Sequence, residues 1–214
     1  IAQILYQNKA AIPKGIARDY PAYEIRSGMI DVGRRFIPLD YVAEIVRYMS
    51  WFKMNEIHLH INENGGEYDS GFMIESKRYP QLNSNNGEYI WTQDEYRQFQ
   101  KDARRYHMDV VTEIDSPGHA TIFGKINPDI VQGANFDLSN HYDESVSLMK
   151  SIYDEFLDGE DPVFQSAAFH IGTDESNNTN ENMRRYINEM LTYVKAKDNI
   201  DEVRFWGNLS LYTG

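Results

Sequence analysis

The chain has 214 residues, with 21 Lys and Arg against 33 Asp and Glu, so its formal net charge is −12 at pH 7. A surplus of negative charge repels a phosphate backbone, which argues against a nucleic-acid partner. Hydrophobic residues make up 41% of the chain and cysteine is absent, so we expect a globular domain without disulfides or a thiolate metal site. No apolar run approaches about 18 residues, so we expect no membrane span.

The first 22 residues show no clear hydrophobic period and contain Pro13 and Pro21. We interpret residues 1–22 as a lead-in segment from an upstream region and residues 23–214 as the first part of one folded domain. The chain opens with Ile1 and shows no signal-peptide pattern, so we expect it to be part of a longer protein.

Five short apolar runs, each followed by a polar turn, predict β-strands. They lie at residues 28–32, 56–61, 109–114, 168–172 and 202–206. Between them, apolar residues at helical spacing predict four helices, and Thr92 with Glu95 predicts a capping box at the start of the second. The apolar face of that second helix comprises Tyr96, Phe99, Ala103 and Tyr106. This alternation predicts an α/β fold with a parallel sheet, either doubly wound or a (β/α) barrel.

Polar residues follow every predicted strand, which favours the barrel, since barrel enzymes collect their chemistry from many strand ends. These polar segments are residues 31–34, 62–64, 115–119, 174–175 and 206–208. The turn at residues 31–35 lacks the glycine-rich pattern of a dinucleotide-binding doubly wound fold. We therefore predict a (β/α)8 TIM barrel of which about the first five βα units are present, with roughly three more expected beyond Gly214.

Two adjacent acids, Asp174 and Glu175, end the fourth predicted strand. Successive side chains of a strand point to opposite sides, so the two cannot flank one glycosidic bond as a nucleophile and an acid. One can donate a proton while the other holds a group beside it. A solvated turn is the alternative interpretation, but the position at a barrel strand end favours the catalytic one.

The segment from Asp115 to His119 closes the third strand, and its Pro117-Gly118 turn can bring the imidazole back beside the carboxylate. A carboxylate hydrogen-bonded to a histidine fixes the tautomer and raises the basicity. A histidine that only satisfies the turn is the alternative interpretation.

Three strand histidines suggest a rival hypothesis, a metal-dependent hydrolase using His58, His60, His170 and Asp174. His58 and His170 lie inside their strands rather than at strand ends, so we favour structural histidines and expect no metal and no cofactor. Arg34 at the first strand end suits recognition of vicinal hydroxyls. Trp206 at the end of the fifth predicted strand could either pack in the core or form a hydrophobic wall against a sugar ring.

Four segments together resemble glycoside hydrolase family 20, which contains the β-N-acetylhexosaminidases and lacto-N-biosidases. The segments are residues 26–38, 53–61, 113–119 and 170–175, and the resemblance covers about residues 22–210. It implies a (β/α)8 catalytic domain and retaining hydrolysis of terminal β-linked N-acetylhexosamine through an oxazolinium intermediate. The substrate's own acetamido oxygen is then the nucleophile, an exception to the two-carboxylate scheme.

The resemblance implies a role for each matching residue. Glu175 is the general acid and base, Asp174 orients the 2-acetamido group, and His119, backed by Asp115, hydrogen-bonds toward Glu175. On the binding side, Arg34 holds the hydroxyls at C3 and C4, Trp206 lines the acetamido pocket, and Glu63 is the candidate for a hydroxyl contact from its loop. The family's usual acidic pair at that loop stands here as Glu63-Asn64.

The expected partner is therefore a glycan that contains N-acetylhexosamine. Release of lacto-N-biose is the alternative activity, and an inactive carbohydrate-binding barrel is the alternative from another class. We expect the full-length protein to be secreted or at the cell surface, and residues 1–214 to be inactive by themselves.

Overall fold

The computed structural model describes residues 2–9, 11–65, 71–83 and 87–207. The α-helices are α1 (Ala2–Gln7), α2 (Leu39–Trp51), α3 (Gln93–Arg104), α4 (Tyr142–Leu157) and α5 (Asn180–Lys195). The strands are β1 (Ser27–Asp31), β2 (Glu56–His60), β3 (Asp109–Glu113), β4 (Val131–Gln132), β5 (Asn135–Phe136), β6 (Ala168–His170) and β7 (Glu202–Arg204). None of these described helices is both long and apolar enough to cross a lipid bilayer.

Five strands form one parallel sheet in the order β1-β2-β3-β6-β7, and β4 and β5 form a separate antiparallel pair. Each sheet strand overlaps one of the five predicted runs, so the predicted α/β fold with a parallel sheet is confirmed. The register pairs Asp31 with His60, His60 with Glu113, Glu113 with His170, and His170 with Arg204. Because residues paired in register project to the same face, this row of polar side chains crosses the whole sheet.

Helix α3 shows how local sequence determines an element. Its predicted capping box is present, since the Glu95 backbone N–H donates to Thr92 Oγ1 at 3.2 Å and the Thr92 N–H donates to the Glu95 carboxylate at 2.9 Å. The helix buries Tyr96 and Phe99, as the spacing predicts. Tyr106 is different: it lies beyond the helix end at Arg104, in the turn that leads into β3, and is about half exposed.

The lead-in contains a short helix, α1, that the sequence pattern does not predict. The ring of Tyr6 on α1 meets the ring of Trp51 on α2 edge-on, with centroids 6.5 Å apart. The remainder of this segment forms neither helix nor strand between residues 11 and 22. The division at residue 22 stays a prediction. At the other end, Asn208 of the predicted polar segment 206–208 lies outside the described residues.

Candidate active site

A buried carboxylate, Glu113, lies at the carboxyl end of β3 and is completely excluded from solvent. Its Oε2 lies 2.6 Å from His58 Nε2 and its Oε1 lies 3.1 Å from His60 Nδ1, and Oε1 accepts a hydrogen bond from the Trp206 indole Nε1 at 2.8 Å. Burial alone would raise the pKa of Glu113, but the contacts with the two histidines outweigh it and hold the pKa well below the ordinary range. Glu113 is not among the site residues that the sequence predicts, although a charged residue within an apolar strand is an available signal.

His60 connects Glu113 to a second buried carboxylate, Glu63. Its Nε2 lies 3.5 Å from Glu63 Oε1, while its Nδ1 faces Glu113. Burial would lower the pKa of His60, yet its contacts with the two carboxylates raise it to about 10. His60 therefore carries a proton at neutral pH and links two anions.

Glu63 also contacts two of the predicted site residues. Its Oε1 lies 2.9 Å from His119 Nδ1 and 2.8 Å from Arg34 Nη2. Burial would raise the pKa of Glu63, but hydrogen bonds from His119 and His60 hold it well below the ordinary range. Arg34 also pairs with Asp31, and its side chain is 60% exposed, so part of its guanidinium faces the open end of the sheet.

His119 is held differently from the expected arrangement. The sequence predicts Asp115 as its support, but Asp115 Oδ2 lies 3.8 Å from His119 Nε2, whereas Glu63 hydrogen-bonds Nδ1 directly. The reason is the path of the loop: the imidazole turns toward the end of β2 rather than back along its own turn. Its Nε2 then lies 3.3 Å from Glu175 Oε2. The hydrogen bond that His119 donates to Glu63 raises the pKa of His119.

Asp115 instead supports the segment that carries the acidic pair. It is completely buried, and its Oδ1 accepts the Thr173 backbone N–H at 2.7 Å. Burial, followed by the neighbouring Asp174 carboxylate, raises the pKa of Asp115 well above its ordinary value.

The acidic pair lies at the rim of the sheet. The side chain of Asp174 is 40% exposed and that of Glu175 is 72% exposed. Three non-glycine residues around it adopt left-handed backbone angles: His119 at φ 48°, Thr173 at φ 90° and Glu175 at φ 48°. Such angles are unfavourable, above all for the β-branched Thr173, and they concentrate at sites where the surroundings enforce them for function.

Trp206 follows β7 and closes the site on its far side. Its backbone N–H donates to Gly172 O at 2.7 Å, and its carbonyl accepts from Thr173 Oγ1 at 2.6 Å. The structure thus brings all seven predicted site residues to one end of the sheet. They are Arg34, Glu63, Asp115, His119, Asp174, Glu175 and Trp206.

The four ligands of the rival metal hypothesis do not converge on one point. His58 and His170 flank Glu113 near His60, whereas Asp174 lies beside His119. His170 Nδ1 already accepts the Gly172 N–H at 3.0 Å, and burial lowers the pKa of His170 to about 4. His58 Nε2 lies 2.6 Å from Glu113 Oε2, which is closer than the roughly 3.3 Å between two ligands of a tetrahedral ion.

Comparisons with known proteins agree with this arrangement. Residues 23–208 match the family model described as glycosyl hydrolase family 20, catalytic domain. The chain is 30% identical over 168 residues to a β-hexosaminidase subunit A2 of Dictyostelium discoideum. The aligned region covers 73% of this chain and 29% of that protein. It is 24% identical over 242 residues to a lacto-N-biosidase of Bifidobacterium bifidum, covering 97% of the chain and 20% of that protein. The chain thus spans less than a third of the length of either relative.

The fold is also found among solved structures. A chitobiase of Flavobacterium johnsoniae superimposes with a TM-score of 0.75 at 24% sequence identity, over 92% of this chain and 33% of that one. This likeness supports the parallel α/β arrangement described above. Because the family match extends from before β1 to beyond Trp206 and includes every residue of the site, the chain belongs to glycosyl hydrolase family 20.

Proposed function

We propose that the protein hydrolyses terminal β-linked N-acetylhexosamine residues with retention of the anomeric configuration. The observation that carries the proposal is the contact between His119 and Glu175 beside Asp174. Glu175 is an exposed carboxyl group 3.3 Å from a histidine that is itself held by a buried carboxylate. A carboxyl group at the open rim of the sheet, oriented by a histidine on its buried side, is suited to exchange a proton with a bound glycoside.

The substrate supplies the nucleophile. In the first step, the oxygen of the 2-acetamido group forms a bond to the anomeric carbon as the bond to the leaving oxygen breaks, and Glu175 transfers its proton to that oxygen. Asp174 accepts a hydrogen bond from the acetamido nitrogen and stabilises its positive charge. In the second step, water bonds to the anomeric carbon from the opposite face as the bond between that carbon and the acetamido oxygen breaks, which restores the acetamido group, and the water gives up a proton to Glu175. Two inversions give net retention.

The binding residues surround this centre. Arg34 has guanidinium donors directed at the open end, where vicinal hydroxyls are recognised by paired N–H groups. Glu63 holds Arg34 in that position. Glu63 therefore contributes to substrate binding by orienting the arginine, in addition to any hydrogen bond that it makes to the sugar itself. Trp206 forms the wall for the acetamido group, where its ring excludes water from the reacting amide.

We further propose that the five-stranded sheet is the first five strands of an eight-stranded (β/α) barrel. The support is the strand order, which follows the sequence without a reversal, and the position of the polar residues at the carboxyl ends of the strands. A doubly wound sheet reverses its order at a switch point. The described strands show no such reversal.

Release of lacto-N-biose is the second candidate activity, because the B. bifidum relative aligns with 97% of the chain. The decisive experiment uses the full-length protein and two substrates, nitrophenyl N-acetyl-β-glucosaminide and nitrophenyl lacto-N-bioside. Hydrolysis of the first supports the main proposal, and hydrolysis of the second alone supports the alternative. A folded full-length protein that hydrolyses neither, or a product of inverted configuration by NMR, would contradict both.

A further inference from the structure

Glu113 is a buried carboxylate for which the proposed mechanism has no use. It is fully excluded from solvent, lies within 3.1 Å of a ring nitrogen of both His58 and His60 on β2, and accepts a hydrogen bond from Trp206 after β7. Removing a carboxylate from water is costly unless charged or polar groups replace the water, and these three side chains surround it here. This carboxylate therefore connects three separate chain positions at one point beneath the site.

The contact with Trp206 is the one that reaches the substrate pocket. An indole has a single polar atom, its N–H, and that atom donates to Glu113 Oε1 at 2.8 Å. The ring itself stacks on His58 with centroids 5.5 Å apart and an interplanar angle of 21°, and it packs against His170 at 4.7 Å. The backbone of Trp206 is bonded to Gly172 and Thr173. The backbone bonds hold the main chain of Trp206, and the hydrogen bond to the carboxylate restrains the two side-chain torsions, χ1 and χ2, that they leave free.

We propose that Glu113 is the positioning residue for Trp206 and sets the plane of the indole wall against which the substrate's acetamido group lies. The proposal rests on the proposed function for the identity of that group. Substrate-assisted attack requires the acetamido oxygen to be aligned with the anomeric carbon, and a small misplacement of a positioning group is costly in rate. A displaced indole would therefore slow cyclisation more than it weakens binding of the rest of the sugar.

A carboxylate suits this position better than a neutral amide. The nearest polar atoms to Glu113 are nitrogens of His58, His60 and Trp206, and an ionised carboxylate is an acceptor only. Glutamine has nearly the same volume but presents an NH2 group, which faces at least one of these three nitrogens. Glu113→Gln is therefore a conservative probe of the contact.

The first experiment observes the contact itself, without any substrate. In the full-length protein labelled with 15N-tryptophan, the Trp206 indole peak is the one that disappears in Trp206→Phe. We expect Glu113→Gln to shift this peak upfield in 1H and to speed its exchange with solvent, because a charge-assisted hydrogen bond is lost. The Trp91 indole, which donates to Ile37 O at 3.0 Å, should not move.

Glu56→Gln is the matched control. Glu56 is also buried and on the same sheet, but it begins β2, about 13 Å along the strand from the residue paired with Glu113. Its carboxylate accepts two hydrogen bonds from Arg204, at 2.8 and 2.9 Å. We expect this substitution to leave the Trp206 indole peak and the activity unchanged, even if it lowers the melting temperature.

The second experiment measures the consequence for the acetamido pocket. We expect Glu113→Gln to weaken binding of a thiazoline mimic of the cyclic intermediate by about 10- to 100-fold, the equivalent of one charge-assisted hydrogen bond. It should lower kcat more than it raises KM, and leave binding of deoxynojirimycin, which has no acetamido group, unchanged. Trp206→Phe should have a similar effect, and the double variant should lose little more.

An unmoved indole peak in Glu113→Gln, or losses that add in the double variant, would overturn the proposal. Equal weakening of thiazoline and deoxynojirimycin would indicate a general structural role and would also overturn it. If Glu113→Gln fails to fold, Trp206→Phe removes the same hydrogen bond by removing its donor. The proposal then requires that this variant bind thiazoline more weakly while its binding of deoxynojirimycin is unchanged. A folded wild-type protein that does not bind thiazoline contradicts the proposed function, whereas the indole experiment still tests the contact.

Discussion

His119 is held through its Nδ1 by Glu63, 2.9 Å away, and presents its Nε2 to Glu175 at 3.3 Å. The two ends of this imidazole thus connect a buried carboxylate to an exposed one. The Glu63 carboxylate raises the pKa of His119, so the imidazole is more readily protonated than a free histidine.

Glu63→Gln should lower the pKa of His119, because the glutamine no longer stabilises the imidazolium. Titration of the histidine ring signals by NMR measures this shift directly. We expect kcat/KM to fall by about 100-fold, since the histidine also loses the acceptor that fixes its orientation. His119 titrating as in the wild type would contradict the geometry. Asp129→Asn, at an exposed acid away from the site, is the control.

Glu175→Gln should lower kcat by about 100- to 10,000-fold while thiazoline binding is retained, because the amide cannot transfer a proton to the leaving oxygen. The loss should be smaller for a dinitrophenyl glycoside, whose leaving group needs little protonation. Steady-state kinetics with the two leaving groups measure the difference. Equal losses for both would mean that Glu175 is not the acid. Glu181→Gln, on the exposed first turn of α5, should behave as the wild type.

Gly172→Ala should destabilise the protein and abolish activity. Gly172 has φ 71°, and a Cβ there would fall inside the Asp115 carboxylate. Gly133→Ala is the matched control, since Gly133 has φ 63° but no atom within 4 Å of the added Cβ. The control should lose only about 1 to 2 kcal/mol, the cost of a left-handed angle in a residue with a side chain. Denaturant unfolding compares the two, and similar losses would show that the Asp115 contact is unimportant.

The stability of the protein should fall as the pH rises from about 6.5 toward 10. The pKa of His60 is raised to about 10 in the folded state, so the folded protein keeps a proton that the unfolded chain releases above its ordinary value of 6.5. The contribution of His60 is therefore complete below pH 6.5 and is lost as the pH passes through the folded pKa. Urea unfolding across this range measures the slope.

His60→Asn should flatten that dependence, whereas His107→Asn, at an exposed position outside the cluster, should keep it. An equally steep profile in His60→Asn would mean that other groups govern the alkaline loss of stability.

The sequence by itself determined the five strands of the main sheet, the four helices between them and the end of the sheet where the chemistry lies. Apolar runs of strand length, helical stripes and the Thr92 cap are local patterns, so they predict local structure. The motifs around Asp115, Glu175 and Trp206 are equally local, and strand polarity places their residues at one edge.

Only the tertiary structure decided which of these residues touch. His119 is 56 positions from Glu63, and Trp206 is 93 positions from Glu113. Whether such residues meet depends on strand register and loop path, which a single sequence does not encode in any short pattern. For this reason the sequence predicts Asp115 instead of Glu63 as the carboxylate that supports His119, and it does not distinguish the buried Glu113 from the other residues of its strand.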